Sequence, residues 1–184
     1  MTPNFPTCQY AVLYADPPWN YRDKASAGKR GASYKYPCMS VAEIAALPVQ
    51  AISAPHSAMF MWVTPPMLDA GMDVLKAWGY EYKTIAFTWV KTTKRGKLFW
   101  GMGNWTRANA EHCLLGVRGK PKRVSAAVHS VIMAPVREHS RKPDEARERI
   151  VNLMGDVPRI ELFARQRVDG WDAWGNELQE APET

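Results

Sequence analysis

The sequence predicts a single α/β domain built around a mostly parallel sheet. Short apolar runs alternate along the chain with segments of helical periodicity, and this alternation is typical of α/β folds. The length of 184 residues suits one domain, and a hydrophobic share of 46% suits one buried core. The chain contains no internal repeat, low-complexity tract or linker that would divide it. We therefore expect one domain over residues 1–184.

The elements of this domain follow one another in a regular order. The first apolar run, Tyr10–Ala15, predicts a buried strand, and further strands are predicted over 57–63, 82–90, 112–117, 130–134 and 159–164. Helices are predicted over 40–47, 67–78 and 144–154. Ser40 and Glu43 form a capping-box signature, and Gly79 predicts the end of the second helix. Basic loops are predicted over 22–36 and 92–107, the second of which also carries glycine and aromatic residues.

The composition favours a polyanionic partner, and the lack of membrane and export signals favours a cytoplasmic location. The formal net charge is +6, and basic proteins often bind nucleic acids. Several of the eight tryptophans lie among basic and polar residues, where bases could stack, although core packing is the commoner use of tryptophan. No apolar run is long enough to cross a bilayer, and the first residues do not resemble an export leader. We therefore expect a soluble, cytoplasmic protein with no membrane partner.

The cysteines and histidines predict neither a disulfide framework nor a metal site. The three cysteines are odd in number and show no CxxC spacing: Cys8, Cys38 and Cys113. The four histidines include no pair at the helical spacing typical of metal ligands. We expect reduced thiols and no metal.

The tetrapeptide Asp16-Pro17-Pro18-Trp19 is the main candidate for a catalytic site. It follows the first predicted strand directly, and ligands of open α/β sheets bind beyond the carboxyl ends of strands. The prolines fix the backbone and lack N–H donors, so this segment presents mainly hydrogen-bond acceptors. The Asp16 carboxylate and the Pro17 carbonyl suit a substrate with two N–H donors, such as the 6-amino group of adenine, and Trp19 could stack on the base. The alternative is a rigid turn with a packed aromatic residue.

This tetrapeptide resembles the catalytic motif of amino-methyltransferases, and the chain resembles the MT-A70 family of adenine-N6 methyltransferases nearly end to end. Eight segments match in family order: YADPPWNY, YPCMSVAEIAALPV, MFMWVTPPMLDAGMDVLKAWGYEY, WVKT, NWTRANAEHCLLGVRG, HSRKPDE, RIELFAR and GWDAWGNEL. The resemblance implies a Rossmann-like methyltransferase sandwich with helices on both faces of the sheet. It also implies a permuted motif order, with the catalytic motif first, which fits the absence of a GxGxxG turn after the first strand.

The resemblance implies S-adenosyl-L-methionine as the cofactor, bound largely by the C-terminal third. Lys142 would pair with the carboxylate of the cofactor, while Glu161, Arg165 and Asn176 would hold its ribose and adenine. The alternatives are a solvated lysine at a helix start and an outward-facing glutamate on a strand. At Asn176-Glu177 the chain departs from the Asn-Gln pair of the RNA enzyme of the family. The full predicted set is Asp16, Lys142, Glu161, Leu162, Phe163, Arg165, Asn176 and Glu177.

The substrate site is predicted from the same resemblance. Glu111 occupies the position of a glutamate that lines the target-base pocket in the family, and its alternative is a charged residue at the start of a strand. The two basic loops resemble the mobile gates of the family, although solvated loops have the same composition. The predicted substrate-binding residues are Trp19, Lys24, Lys29, Arg30, Tyr36, Asn104, Arg107 and Glu111.

We therefore expect an enzyme that methylates the 6-amino group of adenine in nucleic acid, with Asp16, Pro17, Pro18 and Trp19 as the catalytic residues. DNA is preferred to RNA because the chain is compact, without an appended recognition domain. A catalytically inert nucleic-acid-binding subunit and a small-molecule methyltransferase are the alternatives. The intact tetrapeptide argues against the first, and the basic, tryptophan-bearing loops argue against the second. A homodimer or a partner subunit stays open.

Overall fold

The computed structural model describes residues 4–20, 38–103, 105–137 and 141–178. Its strands are β1 (Tyr10–Ala15), β2 (Ser53–Val63), β3 (Glu81–Thr92), β4 (Glu111–Arg118), β5 (Val131–Pro135), β6 (Arg159–Leu162) and β7 (Asp172–Trp174). Its helices are α1 (Val41–Ala45), α2 (Val49–Ile52), α3 (Leu68–Ala77) and α4 (Glu145–Met154). A short 3-10 turn, Pro65–Met67, leads into α3.

The strands form one mixed sheet in the order β5-β3-β4-β2-β1-β6-β7. Four of the six pairings between the described strands are parallel, which confirms the prediction of a mostly parallel sheet. The exception is β4, which runs antiparallel to both of its neighbours, β2 and β3. The first residue of β4 therefore lies at the sheet edge where the other strands end, and we call this the carboxyl edge.

Helices cover both faces of the sheet, as predicted. Side chains of a strand alternate between the faces, so Leu13 and Ala15 of β1 pack with α1, α2 and α3. Val12 and Tyr14 point to the opposite face and pack with α4. The arrangement is a three-layer α/β sandwich consistent with a Rossmann-like methyltransferase fold. The longest described helices, α3 and α4, have ten residues each, and the described chain contains no helix that could cross a membrane.

The local signals identified in the sequence act as predicted. Ser40 and Glu43 form a reciprocal capping box at the start of α1. Gly79 follows α3 with a φ of 80°, a conformation that glycine adopts without steric cost. Two elements were not predicted, α2 and β7. The strand β7 has three residues and no apolar run, and it exists because it pairs in parallel with β6.

Candidate active site

The carboxyl edge of the sheet brings together four charged side chains that are far apart in the sequence. Asp16 follows β1 directly, Glu111 is the first residue of β4, and Lys91 lies near the end of β3. Lys142 comes from the segment that precedes α4. The reversed direction of β4 is what carries Glu111 to this edge, opposite Trp89 of β3.

These side chains form a chain of alternating charge, which we call the charge chain. The Lys142 ammonium lies 2.9 Å from an Asp16 carboxylate oxygen and 3.2 Å from Oε2 of Glu111. The other oxygen of Glu111, Oε1, accepts a hydrogen bond from the Lys91 ammonium at 2.5 Å. The side chains of Lys142 and Glu111 are only 10% and 8% exposed, whereas that of Asp16 is 23% exposed. Of the two carboxylates in the charge chain, Asp16 is therefore the more exposed to solvent.

Burial and charge act in opposite directions on these groups. Burial raises the pKa of Asp16, and the adjacent Lys142 offsets part of this rise. Burial also opposes ionisation of Glu111, but Lys142 and Lys91 outweigh it and lower the pKa of Glu111. For Lys142, burial alone would lower the pKa, whereas Asp16 and Glu111 raise it. Pairing therefore outweighs burial at Glu111 and Lys142, whereas at Asp16 burial outweighs the pairing with Lys142.

The backbone of the tetrapeptide is fixed by short hydrogen bonds. The Pro17 carbonyl accepts from the Trp19 amide at 2.8 Å, and the Pro18 carbonyl accepts from the Met39 amide at 2.9 Å. A carbonyl oxygen has two lone pairs, so Pro17 retains acceptor capacity. The segment therefore presents the Asp16 carboxylate and the Pro17 carbonyl from a rigid frame.

The structure corrects the predicted role of Trp19 as a stacking platform. The side chain is 5% exposed and packs in the core on the α1–α3 face. Its indole N–H donates to the Trp62 carbonyl at 3.0 Å, which ties the tetrapeptide to β2. A buried ring with a satisfied N–H does not offer its face to a base. Trp19 instead holds Asp16 and Pro17 in place.

The ends of β6 and β7 bring together three of the residues predicted to bind the cofactor. Nε of Arg165, which follows β6, lies 3.5 Å from Oε2 of Glu177, which follows β7. Asn176, next to Glu177, is exposed. Phe163 has a φ of 60°, a strained value for a residue with a side chain, and Leu162 is fully buried in the core.

Glu161 is buried and paired, in a way that the sequence did not predict. Its Oε2 accepts from Arg147 Nε at 2.7 Å, and its Oε1 accepts from Arg147 Nη2 at 3.2 Å. Arg147 belongs to α4, so this pair joins the helix to β6. The alternative of an outward-facing glutamate is wrong, and so is that of a solvated Lys142, because both side chains are buried.

The loop between β3 and β4 begins beside the charge chain. The Asn109 side chain bonds both the amide N–H and the carbonyl of Lys91, each at 2.9 Å, and also donates to the Phe99 carbonyl. Most of the described residues of this loop are exposed, with Trp100 61% exposed and Trp105 fully exposed. Arg107 is exposed as well, close to Met102. An aromatic and basic surface therefore adjoins the carboxyl edge.

Five predicted substrate-binding residues lie outside the described residues: Lys24, Lys29, Arg30, Tyr36 and Asn104. Three residues of the site were not among those predicted, namely Lys91, Asn109 and Arg147. A polar residue near the end of an apolar strand was an available signal for Lys91. Asn109 and Arg147 gain their roles through contacts that depend on strand register and helix packing, for which the sequence contains no local signal.

Comparison with known proteins gives a consistent set of relatives. The MT-A70 family model matches residues 10–177. The chain is 32% identical to the type II methyltransferase M.MunI of Mycoplasma sp, over 96% of this chain and 81% of that protein. It is 35% identical to an N(6)-adenosine-methyltransferase MT-A70-like protein of Drosophila melanogaster and 31% identical to the N(6)-adenosine-methyltransferase catalytic subunit METTL3 of Homo sapiens. Both matches cover 92% of this chain, which spans only 27% and 28% of those proteins.

Proposed function

Because this chain belongs to the MT-A70 family, we propose that it transfers a methyl group from S-adenosylmethionine to the 6-amino group of adenine in DNA. The observation that carries the proposal is the Asp16 carboxylate, which lies at the carboxyl edge of the sheet, partly open to solvent and bonded to Lys142. We favour DNA over RNA because the chain spans most of the length of the type II methyltransferase. It spans only about a quarter of the length of the two relatives that are named N(6)-adenosine-methyltransferases. RNA adenosine is the second candidate substrate.

The tetrapeptide supplies acceptors for the amino group. The nitrogen of an aromatic amine is a poor nucleophile because its lone pair is delocalised into the ring. Asp16 and the Pro17 carbonyl would each accept a hydrogen bond from one of its two N–H groups, which localises the lone pair and directs it outward. This role requires an ionised Asp16, and the adjacent Lys142 supports ionisation against the effect of burial. Transfer is direct, without a covalent enzyme intermediate.

The residues at the ends of β1, β6 and β7 fit the chemistry of the cofactor. S-adenosylmethionine supplies an activated methyl group on a positively charged sulfur. Lys142 would add the carboxylate of the cofactor to the two protein carboxylates that it already contacts, while Arg165, Asn176 and Glu177 offer donors and acceptors for the adenosine. Of the remaining candidates, Glu161 would contribute acceptor capacity beside Arg147, and Leu162 and Phe163 follow it at the end of β6.

The target base must leave the duplex, since the amino group is paired and stacked inside it. Glu111 borders Asp16 through Lys142 and would lie at the base pocket. The exposed tryptophans of the β3–β4 loop and its basic residues would contact the flanking strand by stacking and by charge. These contacts favour a polymer over a free nucleoside.

The test is incubation of the protein with methyl-labelled S-adenosylmethionine and, in separate reactions, matched DNA and RNA oligonucleotides or free adenosine, followed by nucleoside analysis. We expect label in N6-methyldeoxyadenosine, and none with the Asp16→Ala variant. Label in RNA alone would replace DNA by the second candidate. Absence of label from both polymers, with label in free adenosine, would overturn the nucleic-acid assignment.

A further inference from the structure

Lys91 lies at the outer end of the charge chain and is held there by several contacts. Its backbone amide and carbonyl are both bonded to the Asn109 side chain, each at 2.9 Å. Its ammonium lies 5.1 Å from the ring centroid of Trp89, on the same strand, and 2.5 Å from Oε1 of Glu111. Its side chain is 21% exposed, so Lys91 is constrained and mostly withdrawn from solvent. These contacts hold the Lys91 ammonium beside the Glu111 carboxylate.

The position of Lys91 affects the balance of positive and negative charge in the charge chain. Glu111 is 8% exposed, and a buried carboxylate needs cations that compensate its loss of hydration. Lys91 serves one of its oxygens and Lys142 serves the other. With Lys91 charged, the four members of the charge chain carry two positive and two negative charges. Without Lys91, the single ammonium of Lys142 would be divided between two carboxylates.

We propose that Lys91 is a positioning residue that acts on Asp16 through Glu111 and Lys142. By neutralising Glu111 from the far side, Lys91 leaves the Lys142 ammonium to Asp16 and keeps the Asp16 carboxylate ionised and oriented. This inference deepens the proposed function and rests on it only for its catalytic readout, because the charge distribution exists in the free protein.

Among the described residues, the other ionisable groups near the charge chain do not take over this role. Arg165 also favours ionised Asp16, but it is paired with Glu177. Glu161 acts on Asp16 with the opposite sign and is paired with Arg147. Burial raises the pKa of the Cys113 thiol, which keeps it neutral. His112 is next to Glu111, and burial lowers the pKa of its imidazole, so it carries no charge at neutral pH.

The direct test is a titration of the Asp16 carboxyl by NMR in the free protein with ¹³C-labelled aspartate, its signal assigned with Asp16→Asn. In Lys91→Met we expect the pKa of Asp16 to rise by roughly half a unit to one unit, because Lys142 is drawn toward Glu111. Lys91→Arg should restore the wild-type titration. Lys83→Met is the matched control, since Lys83 also lies on β3 but pairs with the exposed Glu81.

A double variant separates the charge effect from a packing effect. In Lys91→Met/Glu111→Gln the surplus negative charge is gone, so the pKa of Asp16 should return toward the wild-type value. If Lys91→Met fails to fold, Lys91→Gln, which retains a hydrogen-bond donor without charge, should show the same rise. An unchanged Asp16 titration in a folded Lys91 variant would overturn the proposal.

The catalytic readout distinguishes this inference from the proposed function. The acid limb of kcat/KM for oligonucleotide methylation should move to higher pH in Lys91→Met by the same amount as the NMR titration. A shifted Asp16 titration in a protein that methylates no adenine would contradict the proposed function and leave the role of Lys91 intact. Methylation with an unshifted acid limb would count against the role of Lys91 alone.

Discussion

Asp16 combines two conditions that a proton-accepting carboxylate at a reacting centre requires. It is open enough to meet a substrate, with 23% of its side chain exposed, and it is bonded to a buried cation that opposes its protonation. Burial raises its pKa at the same time, so the residue is less stable as an anion than an aspartate at the surface. Removing its carboxylate should therefore affect chemistry much more than folding.

We expect Asp16→Ala to abolish methyl transfer while the thermal unfolding temperature changes by only a few degrees. Asp16→Asn should lose at least about a hundredfold in kcat, because the amide places a donor against the amino group of the substrate. The measurements are turnover of a labelled oligonucleotide and thermal unfolding followed by circular dichroism. Turnover of Asp16→Asn close to that of the wild type would contradict the assigned role.

At the scale of elements, β7 depends on a close backbone approach. A Cβ built on Gly175 would lie 2.3 Å from the Ala164 carbonyl oxygen, so any larger residue would push the end of β7 away from the end of β6. Asn176 and Glu177 follow at once, and their placement beside Arg165 depends on this approach. Glycine is needed here because the two backbones leave no room for a side chain.

Gly175→Ala should therefore weaken S-adenosylmethionine binding by about tenfold or more, and at least as much as Asn176→Ala, since it displaces the whole segment rather than one side chain. Calorimetric titration of the free protein with the cofactor measures the loss. Gly96→Ala is a useful comparison, because its φ of 76° strains alanine while its Cβ would meet nothing within 4 Å, so it introduces backbone strain without a steric clash. Equal affinities in Gly175→Ala and the wild type would remove this edge from the cofactor site.

The start of α4 is organised by Asp144, whose carboxylate bonds Arg137, Arg141 and Arg147. Burial opposes its ionisation, but the three arginines outweigh this effect and lower its pKa from 3.8 to about 2. A pKa lowered by folding stabilises the protein above the ordinary pKa, and this stabilisation is lost as the pH falls from about 4 toward 2.

We expect the free energy of unfolding to fall by about 1 kcal/mol from this group across that window, a value reduced from the full linkage because the side chain is partly exposed. In Asp144→Asn this part of the pH dependence should disappear. Urea unfolding at pH 5 and pH 2.5 provides the comparison. The same loss on acidification in both proteins would assign the effect to other carboxylates.

At the scale of the whole molecule, the basic residues behind the net charge of +6 lie at both edges of the sheet, and only some of them adjoin the candidate site. Lys94 and Arg95 are exposed on the β3–β4 loop, next to the carboxyl edge. Lys122 and Arg123 are exposed as well, but they follow β4 and therefore lie toward the opposite edge of the sheet. The two pairs have the same charge and composition, which makes them a matched set for locating the nucleic-acid surface.

Oligonucleotide affinity should fall linearly on a logarithmic scale of salt concentration, with a slope of about −0.9 per duplex phosphate contacted. Lys94→Ala/Arg95→Ala should flatten this slope by roughly one to two units, and Lys122→Ala/Arg123→Ala should leave it unchanged. Fluorescence anisotropy across a salt series measures both. Equal slopes for the two double variants would place the nucleic acid elsewhere, and affinity that does not depend on salt would argue against a polyanionic substrate.

The sequence predicts this molecule well wherever one segment contains its own signal. The apolar run of β1, the capping box of α1 and the position of Asp16 after a strand are all local properties, and each is confirmed. The pairing of Lys91 with Glu111 depends on the register of β3 against β4, and that of Arg147 with Glu161 on how α4 packs against β6. These contacts are set by tertiary structure, so only the structure reveals them.

The reversed direction of β4 has a consequence for how such a domain can diversify. The β3–β4 loop projects from the carboxyl edge, and hydrogen bonds between the Asn109 side chain and the Lys91 backbone hold its two ends together. Insertions, deletions or replacement of residues beyond this closure would leave the four side chains of the charge chain in place. We therefore expect this loop to behave as an exchangeable module: grafting a different one onto an unchanged sheet would alter the choice of polymer while preserving the chemistry.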